Sequence, residues 1–222
     1  MSPSLRLSVV LLTFLMMASA AFAQPTIVNF DFGAVPVGCS SWGFAYEGPV
    51  LWCSNDPTSQ NFNATPGFGW ILGGPVSIPA LPPGYHANGG SGLTGPDTLF
   101  YPPPFNGMPF NQAVFLQNIG SFVWQSVEGF SAGNYTLSFY LGSRYIECCG
   151  YDGNQTVAAV IDGNVIGTWA MKSYTPFTLQ TASFTVSTNG SHTLEFEGMN
   201  FGDHTAFVSY VTITPAGHKA KR

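Results

Sequence analysis

Hydrophobic and polar residues alternate with a period of two through the second half of the chain. From Gln112 onward the segments AVFLQ, SFVWQSVEG, NYTLSFYLG, QTVAAVIDG, NVIGTWA, TLQTASFTVS, HTLEFEG and AFVSYVTIT all carry this pattern, and each is bounded by Gly, Asn or Pro. Successive side chains of a strand point to opposite faces, so the pattern predicts half-buried strands. Asp162-Gly163-Asn164 and Asn189-Gly190 supply residues that tolerate positive φ, and both predict hairpins. No stretch shows helical periodicity. About nine short strands joined by turns predict an all-β fold, a two-sheet antiparallel β-sandwich of the jelly-roll kind.

The first half has another texture. One strand is predicted over Thr26 to Phe32, and Pro and Gly then recur every few residues through PVGCSSWGFAYEGPVLWCSND, TPGFGWILGGP and LPPGYHANGGSGLTGPDTLFYPPPFNGMPF. These read as long N-terminal loops, and their density of Trp, Tyr and Phe argues for order. Ahead of them, Arg6 precedes an apolar run from Leu7 to Met17, and Ala21-Phe22-Ala23 stands before Gln24. This is the plan of a secretory signal peptide, residues 1–23. Its apolar run is shorter than the roughly 20 residues of a membrane span. The expectation is a secreted chain, extracellular or periplasmic, with no membrane partner after cleavage. A single domain over 24–215 and a disordered basic tail over 216–222 complete the predicted organisation.

Charge narrows the choice of partners. Cleavage removes Arg6 and keeps all 11 acids, moving the formal charge from −5 to −6. Lys219, Lys221 and Arg222 sit in the tail, so Arg144 and Lys172 are the whole basic content of the body. Binding to a phosphate backbone or an anionic bilayer needs clustered cations, which excludes nucleic acid and acidic lipid as expected partners. With 26 Gly, 17 Pro and 8% charged residues, the surface must be covered by Asn, Gln, Ser, Thr and Gly.

The run from SAGNYTLSFYLGSR through YDGNQTVAAVIDGNVIGTW to FGDHTAFVSYVTI, with VNFDF, PGFGW and QAVFLQNIGSFVWQSV ahead of it, resembles the galactose-binding-like jelly rolls of secreted bacterial and plant cell-wall proteins. The resemblance covers most of Thr26 to Thr214. It implies a carbohydrate or polysaccharide partner and no catalysis. Related folds hold a structural calcium with an acid in the first strand and another before the end of the last. Here Gly33 and Ser209-Tyr210 stand at those places. Calcium takes 6 to 8 oxygens, usually with carboxylates among them, so the loss of both acids disfavours that site and no cofactor is expected.

Candidate chemistry centres on SRYIECCGYDGNQ. Cys39, Cys53, Cys148 and Cys149 are an even number of cysteines in an oxidising compartment, first read as disulfides. Adjacent Cα atoms lie about 3.8 Å apart, closer than disulfides favour, so a vicinal bridge would be strained. Pairing of the two N-terminal cysteines with Cys148 and Cys149 is preferred, with the vicinal bridge, free thiols and metal as alternatives. His86, His192, His204 and His218 form no ligand pair at a recognisable spacing, and no metal is expected.

Arg144 matches the resemblance's Ser-Arg position and is read either as a surface ion pair with Glu147 or Asp152 or as a fork onto sugar hydroxyls or a uronic carboxylate. Tyr151, Asp152 and Asn154 offer groups suited to hydroxyls, although Asp-Gly-Asn is also turn chemistry. Trp42, Trp52 and Trp70 lie in Gly/Pro loops, as stacking platforms or as plugs of the sandwich. Trp124 and Trp169 sit in alternating strands and are expected in the core. Gln117 matches the resemblance's Phe-Leu-Gln, and Gln125 is read as facing a ligand or satisfying edge groups. The candidate binding set is Arg144, Tyr151, Asp152, Asn154, Trp70, Trp42 and Gln117.

No nucleophile elbow, zinc-protease motif or phosphate loop is present, and Glu195 with Glu197 reads as a solvated pair on one strand face, so no enzyme is expected. The predicted function is a secreted, non-catalytic carbohydrate-binding domain. Alternatives are an adhesive matrix protein and, behind it, a polysaccharide hydrolase or lyase.

Overall fold

A computed structural model describes residues 24–34, 50–53, 56–61, 67–74, 90–95, 102–145 and 151–216, with the backbone alone for 50–53, 56–61 and Tyr151. Thirteen strands lie in these segments. They are β1 (Val50–Cys53), β2 (Asp56–Asn61), β3 (Ile71–Gly73), β4 (Gly90–Thr94), β5 (Ala113–Gln117), β6 (Phe122–Phe130), β7 (Gly133–Ser143), β8 (Tyr151–Asp152), β9 (Thr156–Ile161), β10 (Asn164–Ala170), β11 (Thr178–Val186), β12 (Gly190–Gly198) and β13 (Asp203–Pro215).

Two five-stranded antiparallel sheets make the sandwich: β10-β9-β12-β6-β3, and facing it β11-β7-β13-β5-β4. β8 adds in parallel to the start of β13, and β1 with β2 forms a separate ribbon. Each of the eight alternating segments became a strand, because alternation gives each one an apolar row to bury. Val123 and Val127, Val157 and Ala159, and Leu194 and Phe196 come from the first sheet. They meet Val114, Leu116, Leu137, Phe139 and Leu141 from the second, all buried in one cluster. Side chains of this size contribute about 1.5–3 kcal/mol each when fully buried.

In β13 the inward row passes from Ala206 and Val208 to Val211 and Ile213, a change of parity. A bulge between Ser209 and Thr212, with Tyr210 at φ 51°, inserts the residue that allows it.

The other face of the second sheet is also covered. Phe105 and Phe110, from the segment 102–112, pack on Phe115, Phe177 and Phe207, with Tyr140 and Tyr210 alongside. Gly142 makes this approach possible, since a Cβ there would stand 2.7 Å from Pro103 Cγ. Aromatic residues thus fill that sheet face with the chain's own side chains.

Three expectations change. Thr26 to Phe32 is a single bridge from Thr26 to Glu128 followed by a turn, not a strand. Asn29 and Phe32 take φ 52° and 59°, and Asn29 Oδ1 accepts the Ala34 N–H at 2.8 Å, a side-chain alternative to ladder bonding. Conversely, the proline-rich half that reads as loops after its first strand contributes β1 to β4.

Asn189-Gly190 does not close a hairpin either. β11 pairs with β7, whereas β12 pairs with β6 and β9, so this turn carries the chain from one sheet to the other. A turn motif specifies reversal, not which strand then supplies the ladder. Asp162-Gly163 is the hairpin predicted, with φ 48° and 76° joining β9 to β10.

Candidate functional site

β5, β7, β10 and β12 finish, and β9, β11 and β13 begin, at the same end of the sandwich. At this end Asp203, the first residue of β13, is the hub of a polar group. Its Oδ1 accepts from Arg144 Nη1 at 2.7 Å and from Gln117 Nε2, and its carbonyl takes a second bond from Arg144 Nη1 at 3.3 Å. Arg144 and Gln117 are both buried, and the Asp203 side chain is 18% exposed. The next residue, His204, donates from Nδ1 to Asp152 Oδ1 at 2.5 Å. Asp152 also accepts the Asn154 backbone N–H at 2.8 Å and Asn154 Nδ2 at 2.9 Å. Burial opposes ionisation of Asp152, but the His204 and Asn154 donors and the His204 charge outweigh it and hold its pKa below the ordinary 3.8.

Two buried amides fix the loops around this group. Gln155 is fully buried; its Oε1 accepts the N–H groups of Thr156, Met199 and Asn200, and its Nε2 donates to the His204 carbonyl at 3.0 Å. Asn118, at φ 71°, accepts the N–H groups of Ile119 and Gly202 on its Oδ1. Together they tie the β5–β6, β8–β9 and β12–β13 connections, so Asp203 and His204 project from a braced frame.

Beside it stand rings open to solvent. Tyr174 is 51% and Phe201 59% exposed, and Tyr145 meets Tyr174 edge-on at 5.8 Å between centroids. Tyr174 is held next to Arg144 by its backbone N–H, which donates to the Arg144 carbonyl at 2.9 Å.

Of the residues singled out from sequence, Arg144, Asp152, Asn154 and Gln117 come together here. Arg144 is not a surface guanidinium: it is buried on Asp203, and Glu147 lies outside the described residues. The backbone of Tyr151 pairs with Asp203. Trp70 goes to the core instead, 1% exposed against Phe32, with its indole N–H given to the Asn29 carbonyl at 3.0 Å. An aromatic ring beside an apolar cavity gains more by filling it than by facing water, and the plug reading holds for this residue.

Trp42, Cys39, Cys148 and Cys149 lie outside the described residues, as do the Cys53 and Trp52 side chains. Trp169 packs edge-on against Phe139, at the core. Trp124 does not. Val123, Gln125 and Val127 form the inward row of β6, leaving Trp124 on the outer face. Gln125 spends its amide on the N–H and carbonyl of Val28.

Asp203, His204, Asn118 and Gln155 were missed by sequence reasoning. The readable signal for the first two is Gly-Asp-His set directly before an apolar alternation, charge at the mouth of a strand.

The turn at 28–34 does not suit calcium. The carbonyls of Asn29, Phe30 and Phe32 already accept from Trp70 Nε1, Val211 N and Gln112 Nε2, and Asp31 Oδ1 from Gly33 N. Ser209 Oγ donates to the Gln112 carbonyl. N–H donors occupy the oxygens that a cation would need, and among the described residues no second carboxylate joins them.

No known family profile matches the chain, and no curated protein does. Solved structures similar to it include carbohydrate-binding modules. A family 35 module from Clostridium thermocellum is 16% identical, with a TM-score of 0.38, over 50% of this chain and 82% of that one. A module of Cellvibrio mixtus lichenase 5A, in complex with cellotriose, is 16% identical with a TM-score of 0.37, over 50% and 82%. A cyclase from Fischerella sp. TAU, in complex with 4-(1H-indol-3-yl)butan-2-one, is 16% identical with a TM-score of 0.49, over 88% and 99%. At such scores no residue role passes from these proteins to this chain, and the sandwich rests on its own strand pairing.

Proposed function

We propose that this chain is an exported, non-catalytic carbohydrate-binding domain whose site is the loop end built on Asp203, His204, Asp152 and Asn154. One observation carries the reading: braced hydrogen-bonding groups share the loop end with two exposed rings, Tyr174, bonded through its backbone to Arg144, and Phe201, two residues before Asp203. A sugar ring has equatorial hydroxyls and an apolar face, and it needs both kinds of contact at once. Arg144 and Gln117 act as positioning residues, holding the Asp203 carboxylate from beneath. Export is supported by the leader-like residues 1–23.

Binding without chemistry is supported by the state of the two carboxylates. A glycosidase needs one carboxyl kept protonated as its acid. Asp152 is instead held ionised by its donors, and Asp203 is ion-paired to a guanidinium.

The test is retention of the purified chain by insoluble polysaccharides and on a glycan array. Phe201→Ala, at a position too exposed to disturb folding, should weaken binding about tenfold through the lost ring contact. Retention by no glycan would sink the proposal. Self-association that sugars do not inhibit would point to the adhesive alternative, and release of reducing ends would point to hydrolysis.

A further inference from the structure

At the loop end the guanidinium and amide donors are turned inward, while two acceptors stay open. Arg144 gives Nη1 to Asp203, Gln117 gives its amide to the same carboxylate, Asn154 Nδ2 goes to Asp152, and Asn200 Nδ2 goes to the Asn154 carbonyl. The acceptors differ. Asp203 Oδ2 takes no hydrogen bond among the described residues, and its side chain reaches solvent. His204, in its neutral form, gives the Nδ1 proton to Asp152 and keeps a lone pair on Nε2, with the ring 28% exposed. The one exposed cation described at this end is Lys172, on the β10–β11 connection, outnumbered by the carboxylates of Asp152 and Asp203.

We infer that this site selects neutral, hydroxyl-donating sugars and rejects acidic ones, an inference that rests on the carbohydrate reading above. A sugar hydroxyl can donate to Asp203 Oδ2 and His204 Nε2. A uronic carboxylate only accepts, and it would meet two carboxylates, with the Arg144 guanidinium buried beneath Asp203 and its Nη1 already given to that carboxylate. Like charges brought together at a recognition surface carry a large penalty, and the ring contacts with Tyr174 and Phe201 do not distinguish the two sugars. The fork onto a uronic acid, one of the two roles open to Arg144 in the sequence, is therefore the role set aside.

Affinity electrophoresis and calorimetry of the leader-free chain would compare neutral xylan, mixed-linkage glucan and mannan with polygalacturonate and alginate. At least one neutral polymer should bind about tenfold or more tightly than either acidic one. Added salt should narrow that gap by screening the repulsion. Asp152→Asn, checked for folding by circular dichroism, should narrow it too, and Lys172→Ala should leave neutral binding unchanged. Equal or tighter binding of the acidic polymers overturns the inference, as does acidic binding lost with Lys172→Ala. If no polymer binds at all, it is the carbohydrate reading that fails.

Discussion

Each end of the sandwich carries a histidine whose Nδ1 lies 2.5 Å from an aspartate, and the two pairs are built for different purposes. At the hairpin end, His192 is buried in the first sheet against Phe130. Its Nδ1 meets Asp162 Oδ2, and its Nε2 meets the Thr188 carbonyl at 3.0 Å. Both ring nitrogens face acceptors, so the ring needs both protons and the imidazolium is the form that fits. Asp162 also accepts the Thr193 N–H at 2.8 Å, locking the β9–β10 turn onto β12. At the loop end, His204 has one nitrogen engaged and is more than three times as exposed, at 28% against 8%. The same pair is a closed fastening in one place and an open contact in the other. What separates them is whether the second nitrogen is spent inside the protein.

The largest expected effect comes from the loop end, where charge is buried deepest. Asp203→Ala would leave the Arg144 guanidinium buried without its carboxylate, at a cost of about 3 kcal/mol in denaturant unfolding. Asp203→Asn should lose less, since an amide oxygen still accepts. Equal losses for the two variants would mean that packing, not charge, sets the requirement.

His192→Gln comes next, at about 1–2 kcal/mol for the two hydrogen bonds of a charged group. Its pH dependence identifies the fastening. Burial pulls the His192 pKa down, but Asp162 and the Thr188 carbonyl outweigh it and raise it above the ordinary 6.5. The stabilisation is therefore complete below pH 6.5 and is lost as pH rises through the folded value. For Asp162, burial again opposes the bonds from His192 and Thr193, which win and lower its pKa below 3.8, so its share is lost only as pH falls through that lower value. The gap between wild type and His192→Gln should be widest between about pH 4 and 6.5 and should shrink at alkaline pH. A gap independent of pH would remove the imidazolium from the account.

Within the same hairpin, Gly163→Ala should cost about 1 kcal/mol, because φ 76° strains any side chain although open space surrounds the position. The loops around His204 are held instead by the Gln155 and Asn118 amides.

The contrast between the ends follows how the sequence could be read. Strand identity in the second half was legible because alternation is local: Leu137, Phe139 and Leu141 announce their face within five residues. The Asp162-Gly163 turn was legible for the same reason. The partner of β11 was not, because Asn189-Gly190 looks like the same local signal while sheet choice depends on pairings that run from Thr178 with Leu141 to Val186 with Gly133, far outside any local window. Asp152 and Asn154 were picked out by side-chain chemistry, and Arg144 and Gln117 with the help of the resemblance; the four do converge, yet their hub escaped notice. Asp203 acquires its meaning only when β13 is laid between β5 and β7, bringing Gln117 and Arg144 to it across 86 and 59 residues. For Trp70 the sequence left platform and plug both open, although it was placed in the binding set. The Asn29 carbonyl that decides for the plug lies 41 residues earlier in the chain.

The smallest effect on stability, and the one that separates the ends most cleanly, belongs to His204→Gln. With both partners partly solvated, its bond to Asp152 should contribute no more than about 1 kcal/mol. Glutamine also leaves Gln155 free to keep its bond to the backbone carbonyl of residue 204. Thermal unfolding should therefore shift little, whereas affinity for a bound neutral polysaccharide should fall several-fold, because an amide cannot place an acceptor where Nε2 stands while still donating to Asp152. His192→Gln should give the inverse result, a lower unfolding midpoint with affinity unchanged. If His204→Gln instead destabilises as much as His192→Gln and leaves affinity alone, the loop-end pair is a second fastening. Recognition would then have to come from the rings of Tyr174 and Phe201 and the free oxygen of Asp203.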